Sequence, residues 1–355
     1  MKLFIPGPVT VRPEVLEKMS SPVIGHRTKE ASNLQRSIEE KMQKIWHTNN
    51  TVLLSTSSGS GLMEGAVRSL TKRRAAVFSS GVFGRRWYDM CRFNYVDADM
   101  YENKWGEIVD VDQVRDVLKT GKYDVITVTH NETSTGVMNP ILKIGEVVKE
   151  FPDVLFLVDT VSSTAGVDIN VDKIGADLVL TSSQKCIGLP PGFSICAISD
   201  KAVERAKTVE NRGWYLDLLA LYNFSKEHDH QYPTTPSVSH MIALDYQLDY
   251  ILNVEGLENR IKRHKEMADY TRAWAKKHFD LFAREEICSN TVTCVKNTKN
   301  INVPKVNEEL AKRGMIFANG YADLKDITFR IGHMGDTTLE DMKELFANIE
   351  DILGL

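Results

Sequence analysis

Cysteine is scarce in this chain and carries no pattern. The five present (Cys91, Cys186, Cys196, Cys288 and Cys294) are odd in number and contain no CxxC pair. That speaks against a disulfide framework and against a zinc site, and fits reduced thiols in the cytoplasm. No apolar run approaches the about 20 residues that a membrane span needs. Long basic runs are missing too and the net charge is -4, so neither nucleic acid nor an anionic membrane is an expected partner. The sequence reaches Pro6-Gly7-Pro8 almost at once, which leaves no room for a signal peptide. Its final Leu-Gly-Leu matches no targeting tag. Internal repeats and low-complexity segments are absent. With 355 residues there is material for a large core and two domains. The expectation is a soluble intracellular globular protein.

Residues 1–15 are extended and punctuated by Pro6, Pro8 and Pro13, more like an arm than a core element. Over residues 28–46, Leu34, Ile38, Met42 and Ile45 recur at helical spacing among charges, the mark of an amphipathic helix. Short apolar runs at 52–54, 75–78, 125–128, 154–158 and 178–180 read as strands. Stretches at 62–70, 87–93 and 144–151 read as helices between them. Such alternation over some 200 residues predicts a mostly parallel sheet with helices on both faces. Residues 211–240 read as an aromatic, proline-broken loop, and helical periodicity resumes at 241–274. Beyond residue 280, strand-like runs at 291–295 and 327–331 mix with helices at 306–313 and 338–352, predicting a smaller α+β domain. The expected division is an arm 1–15, a large domain 16–253 and a small domain 254–355.

Parallel α/β sheets bind ligands outside the carboxyl ends of their strands, and these ends are suggestive. The first carries Ser57-Ser58-Gly59-Ser60-Gly61 opening a helix. Backbone N–H groups and the helix dipole favour an anion there, and small residues let a phosphate approach. No Gly-Lys-Ser/Thr follows, so this is not a Walker A loop. The spacing of Gly59, Gly61 and Gly65 departs from a dinucleotide fingerprint. A second end carries Asp159 after five apolar residues. A carboxylate so placed needs a cationic or donor partner, such as a protonated pyridine nitrogen, unless it is a helix N-cap. Lys185 follows the run 178–180, and Pro190-Pro191-Gly192 ends regular structure beyond it. A buried strand-end lysine suits a Schiff base with a carbonyl cofactor, although such lysines are more often solvated. About one βαβ unit separates Asp159 from Lys185, so both can face one ligand.

Together, Pro6-Gly7-Pro8, Ser58-Gly59-Ser60-Gly61, Val158-Asp159-Thr160-Val161-Ser162-Ser163, Ser182-Ser183-Gln184-Lys185 and Arg330-Ile331-Gly332 resemble the class V aminotransferases. More narrowly, they resemble the alanine–glyoxylate and serine–pyruvate aminotransferase family. The likeness runs from residue 6 to the C-terminus. It implies a fold type I pyridoxal 5′-phosphate (PLP) enzyme: a large domain with a mostly parallel seven-stranded sheet, a small C-terminal α+β domain, and a homodimer with active sites at the subunit interface. It further implies that Lys185 forms the internal aldimine and then moves the proton, and that Asp159 holds the pyridinium N–H. Ser60, Gly61, the N–H of Leu62 and Gln184 would bind the phosphate. Phe83 would stack on the ring and Thr133 would contact its edge. Tyr232 and Thr235 would reach the cofactor of the other subunit, and Arg330 would grip the substrate carboxylate.

Phe83 stands where relatives often carry Trp, and Leu62 where some carry His. The segment Gly25-His26-Arg27, with His228 and the pair Arg85-Arg86, leaves an anionic substrate side chain open and brings Gly25 among the substrate-binding candidates. Arg85-Arg86 reads more readily as a solvated surface pair. The pair His228 and His230 lacks a third ligand for a metal, and no metal is expected. The implied reaction moves an amino group from alanine or serine to glyoxylate or pyruvate. Its rivals are a phosphoserine aminotransferase of the same fold, a cysteine desulfurase-like lyase, and a nucleotide-binding α/β protein without PLP. Gln184, in the place where desulfurases stack a His, argues against the lyase.

Overall fold

The central strands are apolar on both faces, and this decides where they go. Leu155–Asp159 and Leu178–Ser182 are buried at every position, as strands covered by helices on both sides must be. In the computed structural model, which describes residues 1–355, they lie within a seven-stranded sheet. Its order is Thr51–Ser55, Ser194–Ile198, Leu178–Ser182, Leu155–Asp159, Val125–Thr129, Ala75–Ser79 and Ala98–Glu102. Only Ser194–Ile198 runs against its neighbours, pairing antiparallel on both sides. The other six strands therefore end on the same edge. Side-chain alternation splits the core in two. Phe156, Val158 and Val179 join one face with Ile38, Met42 and Trp46 of the helix Lys29–Trp46. Leu155, Leu157, Leu178 and Leu180 join the other with Leu62, Met63 and Val67 of the helix Gly59–Leu70.

A second, five-stranded sheet has the order Lys2–Phe4, Met315–Asn319, Thr328–Gly332, Val292–Lys296 and Asp280–Leu281. Helices Leu257–His278, Val303–Lys312 and Leu339–Leu353 contribute Trp274, Leu310, Phe346 and Ile349 to its core. The fold is thus the expected fold type I α/β architecture with a smaller α+β part. No helix is long and apolar enough to cross a membrane.

Three details differ from the sequence reading. The stretch read as an arm is built into the fold: Lys2–Phe4 pairs parallel with Met315–Phe317, and Pro13 starts a helix, Pro13–Met19, that crosses residue 15. A proline at the first helical position loses no hydrogen bond. The boundary at 253 and 254 falls inside a wide helical turn, Tyr250–Glu255, which joins Val238–Asp249 to Leu257–His278. The segment read as loop at 211–240 contains the helix Leu218–Glu227, capped by the Asp217 carboxylate, which accepts from the Leu219 N–H at 2.9 Å.

Candidate active site

The carboxyl edge of the large sheet opens on a cavity of about 410 Å³ lined by residues from five strand ends and the N-terminal segment. Ser58, Gly59 and Ser60 come from the turn after Thr51–Ser55, and Phe83 and Arg86 follow Ala75–Ser79. Asn131 and Thr133 follow Val125–Thr129. Asp159 ends its strand, and Gln184 and Lys185 follow Leu178–Ser182. Arg330 and Tyr321 reach in from the smaller sheet, and Pro6 and Gly7 cross the opening from the N-terminal side. Of the sequence-derived candidates, Ser60, Phe83, Thr133, Asp159, Gln184, Lys185 and Arg330 share this one space.

Lys185 donates from Nζ to the carbonyl of Pro6. Burial lowers its pKa from 10.5 to about 8, because the charged form is poorly solvated there. Gly7 is required by this contact: its φ is +89°, and a Cβ on it would lie 2.7 Å from Lys185 Nζ. Asp159 lies one strand away, where the register pairs it with Leu180. One carboxylate oxygen accepts from the Val161 N–H at 2.7 Å, and no other group of the chain hydrogen-bonds the side chain. Burial raises its pKa to about 6, Glu132 adds to the rise, and Arg86 and Lys185 oppose it.

The helix Gly59–Leu70 points its N-terminus into the cavity without a side-chain cap from Ser58. Gly59 N–H donates to Ser182 Oγ at 3.3 Å, whereas the Ser60 N–H finds no acceptor in the chain. Gly61 and Leu62 lie behind the lining, and their N–H groups bond to the Ser58 carbonyl at 2.8 and 3.4 Å. Glycine at 59 and 61 is steric: added Cβ atoms would come within 2.7 Å of Val161 and 2.6 Å of Ser57. Gln184 accepts from Ser182 Oγ at 2.6 Å, which leaves its amide N–H groups free to donate. Phe83 is fixed from behind. The buried Glu132 carboxylate accepts from the Phe83 and Gly84 N–H groups, both at 3.0 Å, and from Ser134 Oγ at 2.6 Å. Arg330 is 8% exposed, donates to the carbonyls of Asn319 and Thr133 at 3.1 and 3.3 Å, and pairs with no carboxylate of the chain.

A family model, described as aminotransferase class-V, matches residues 11–331. The chain belongs to the class V aminotransferases. An uncharacterized aminotransferase of Methanocaldococcus jannaschii is 43% identical over 98% of this chain and 91% of its own length. A serine–glyoxylate aminotransferase of Arabidopsis thaliana is 31% identical over 99% of this chain and 90% of its own. Among solved structures, an alanine–glyoxylate aminotransferase from Nostoc sp. superposes with a TM-score of 0.93 at 28% identity, covering 99% of this chain and 94% of that one.

Besides Gly61 and Leu62, three further candidates lie outside the cavity of their own chain. Tyr232 is buried and accepts from the Thr56 N–H at 3.3 Å, while Thr235 and Gly25 are exposed. The two segments are tied together, because the Arg27 guanidinium donates to the carbonyls of Tyr232 and Pro233. Gly25 therefore does not meet substrate in the space around Lys185 of its own chain. Of the two histidines read as weak metal candidates, His230 hydrogen-bonds Glu39 at 2.7 Å and His228 packs edge-on against the Phe224 ring.

Sequence reasoning missed Gly7, Asn131, Tyr321 and, above all, Arg86. Arg85 and Arg86, read as a surface pair, are separated by the helix they share. Arg85 pairs with Glu102 and Asp323, whereas Arg86 turns into the cavity. Their spacing held the signal: consecutive helical residues point about 100° apart, so one of two adjacent arginines can face inward.

Proposed function

We propose that this chain is a PLP-dependent aminotransferase that moves the amino group of alanine or serine to glyoxylate or pyruvate, working as a homodimer. The observation that carries the reading is one cavity holding a half-buried Lys185 of lowered pKa, a buried Asp159 with an unbonded oxygen, an open helix N-terminus and a carboxylate-free Arg330. These features fit PLP feature by feature. The unbonded oxygen of Asp159 suits a pyridinium N–H. The Ser60 N–H and the glycine-lined turn suit a phosphate. Phe83 offers a flat apolar face, held in place by Glu132.

Bound PLP would supply an electrophilic carbonyl and a ring that takes up electron density from the substrate α-carbon. Asp159, ionised above about pH 6, would hold a proton on the ring nitrogen. Arg330 grips the substrate carboxylate and so orients the α-carbon. Lys185 Nζ would take the α-proton of the substrate and give it back as the amino group moves. A pKa near 8 suits a group that must both accept and donate near neutral pH. Pro6 and Gly7 cover Lys185 and shield that transfer from water.

The choice of donor and acceptor is supported by the alanine–glyoxylate and serine–glyoxylate activities named for the relatives. The homodimer is supported by the tied surface segments holding Gly25 and Thr235, which have no role in their own cavity and would complete a partner's. All five cysteines are buried, which disfavours a desulfurase with its mobile thiol and suits a reducing cytoplasm. A nucleotide-binding protein would leave the Lys185 and Asp159 pairing without a use.

The test is the visible spectrum of the purified protein, with L-alanine, L-serine, L-phosphoserine and L-cysteine added singly. Bleaching of a yellow protein by alanine or serine, restored by glyoxylate or pyruvate, supports the reading. Bleaching by phosphoserine alone would move the substrate to the anionic class, and a protein that PLP cannot colour would overturn the cofactor.

A further inference from the structure

We propose that Arg86 is the cationic partner of the cofactor phosphate and sets the hydrogen-bond direction of Ser60, an inference that rests on the PLP reading above. Arg86 Nη1 donates to Ser60 Oγ at 3.1 Å. No carboxylate lies within ion-pair distance of it, whereas its neighbour Arg85 is paired twice. An unpaired guanidinium lining a cavity is a charge awaiting a partner.

Its place in the cavity decides which partner. Three cationic side chains line the space: Lys185, Arg86 and Arg330. Lys185 is committed to the cofactor carbonyl. Arg330 lies on the side of Thr133 and Asn319, to whose carbonyls it donates. Arg86 alone stands at the N-terminus of Gly59–Leu70, where Ser60 leaves its N–H unbonded. A phosphate monoester carries about 1.5 to 2 negative charges at neutral pH, and a helix N-terminus offers roughly half a positive one. Within the chain, Arg86 is the full cation that closes this gap.

The hydrogen bond to Ser60 adds direction. A guanidinium has donors and no acceptor, so Ser60 Oγ must accept from Arg86. The hydroxyl proton is then free to be donated onward to a phosphate oxygen. Arg86 also packs its guanidinium carbon 4.5 Å above the centre of the Phe83 ring, a cation–π contact that fixes Arg86 against the residue proposed to meet the cofactor ring. Lysine would keep the charge but lose the fork and the stacking.

The experiment titrates cofactor-stripped wild type, R86Q and R86K with PLP and with pyridoxal, which lacks the phosphate, following the absorbance of the lysine adduct. R86Q should bind PLP at least about tenfold more weakly, with pyridoxal binding changed less than about twofold. R86K should fall between wild type and R86Q. The ³¹P resonance of bound PLP should hold nearly constant with pH in wild type and titrate near its free value, about pH 6, in R86Q. Equal losses for PLP and pyridoxal, or unchanged PLP binding, would overturn the role. So would a defect confined to the KM of dicarboxylic donors, which would place a substrate carboxylate at Arg86 instead. If R86Q does not fold, R86K decides: a reduced preference for PLP over pyridoxal supports the role, and an unchanged preference overturns it. Wild type that binds neither compound overturns the PLP reading itself, and this inference with it.

Discussion

Asp159→Asn separates stability from function, because the proposed role of the carboxylate works against the cofactor-free fold. Burial raises the folded pKa of Asp159 from 3.8 to about 6, which corresponds to at most about 3 kcal/mol against the ionised form. The sign follows from proton counting. Below pH 3.8 the carboxyl is protonated in both folded and unfolded chains and contributes nothing. Between 3.8 and about 6 the folded state keeps a proton that the unfolded chain releases, so stability falls as pH rises. Above about 6 the full penalty is present. Asparagine carries no charge and keeps an oxygen for the Val161 N–H. The cofactor-free variant should therefore be more stable than wild type near neutral pH, by on the order of 1–3 kcal/mol, and the gain should fade toward about pH 4. Urea midpoints of both cofactor-free proteins across that range measure this. The same variant should bind PLP more weakly and turn over far more slowly. Lower stability than wild type at neutral pH, or a difference independent of pH, would refute the reasoning.

Arg330→Gln should raise the KM for the amino donor by about tenfold or more, from the loss of a charge-assisted pair, while PLP uptake measured by absorbance stays as in wild type. Uptake of PLP by the cofactor-free protein should speed up with pH and level off above about 8, as Lys185 loses its proton; a rate independent of pH would contradict the lowered pKa. Arg260 is fully buried, donating to Cys186 O at 2.6 Å and to Glu255 and Asp336 at 2.6 and 2.8 Å. Arg260→Ala takes the buried guanidinium from Glu255 and Asp336, which keep Arg263 and Arg12 as ion partners. It should cost about 3 kcal/mol, seen as a lower urea midpoint.

The elements that the sequence disclosed were those with a strong local pattern. The runs 154–158 and 178–180 could be little else but buried strands, and Leu34, Ile38, Met42 and Ile45 marked their helix by spacing. Apart from the apolar strand Ser194–Ile198 and the amphipathic helix Val111–Lys119, which were simply passed over, what escaped notice lacked such a signature. Ala98–Glu102 is a sheet-edge strand with mixed burial, and the helix Leu218–Glu227 was masked by aromatic residues and the prolines that follow. The N-terminal strand Lys2–Phe4 takes its partner from residues 315–317, a pairing over some three hundred positions that no local pattern encodes. The same holds within the cavity. Lys185 and Asp159 were legible because a charged residue at the end of an apolar run is costly without a partner. Tyr321 and Gly7 arrive from elsewhere in the chain and become part of the site only by tertiary packing. Arg86 could be told from Arg85 only once Glu102 and Asp323 were seen to claim the latter.

The central claim is that Lys185 moves the proton of an amino acid held in this cavity. Proton NMR in D₂O tests it directly, with L-alanine and pyruvate in excess over PLP-loaded protein. The account predicts that wild type replaces the α-hydrogen of alanine with deuterium and that Lys185→Ala, loaded with PLP and alanine, does not. Exchange by the variant at the wild-type rate would show that another group carries the proton and would contradict the account.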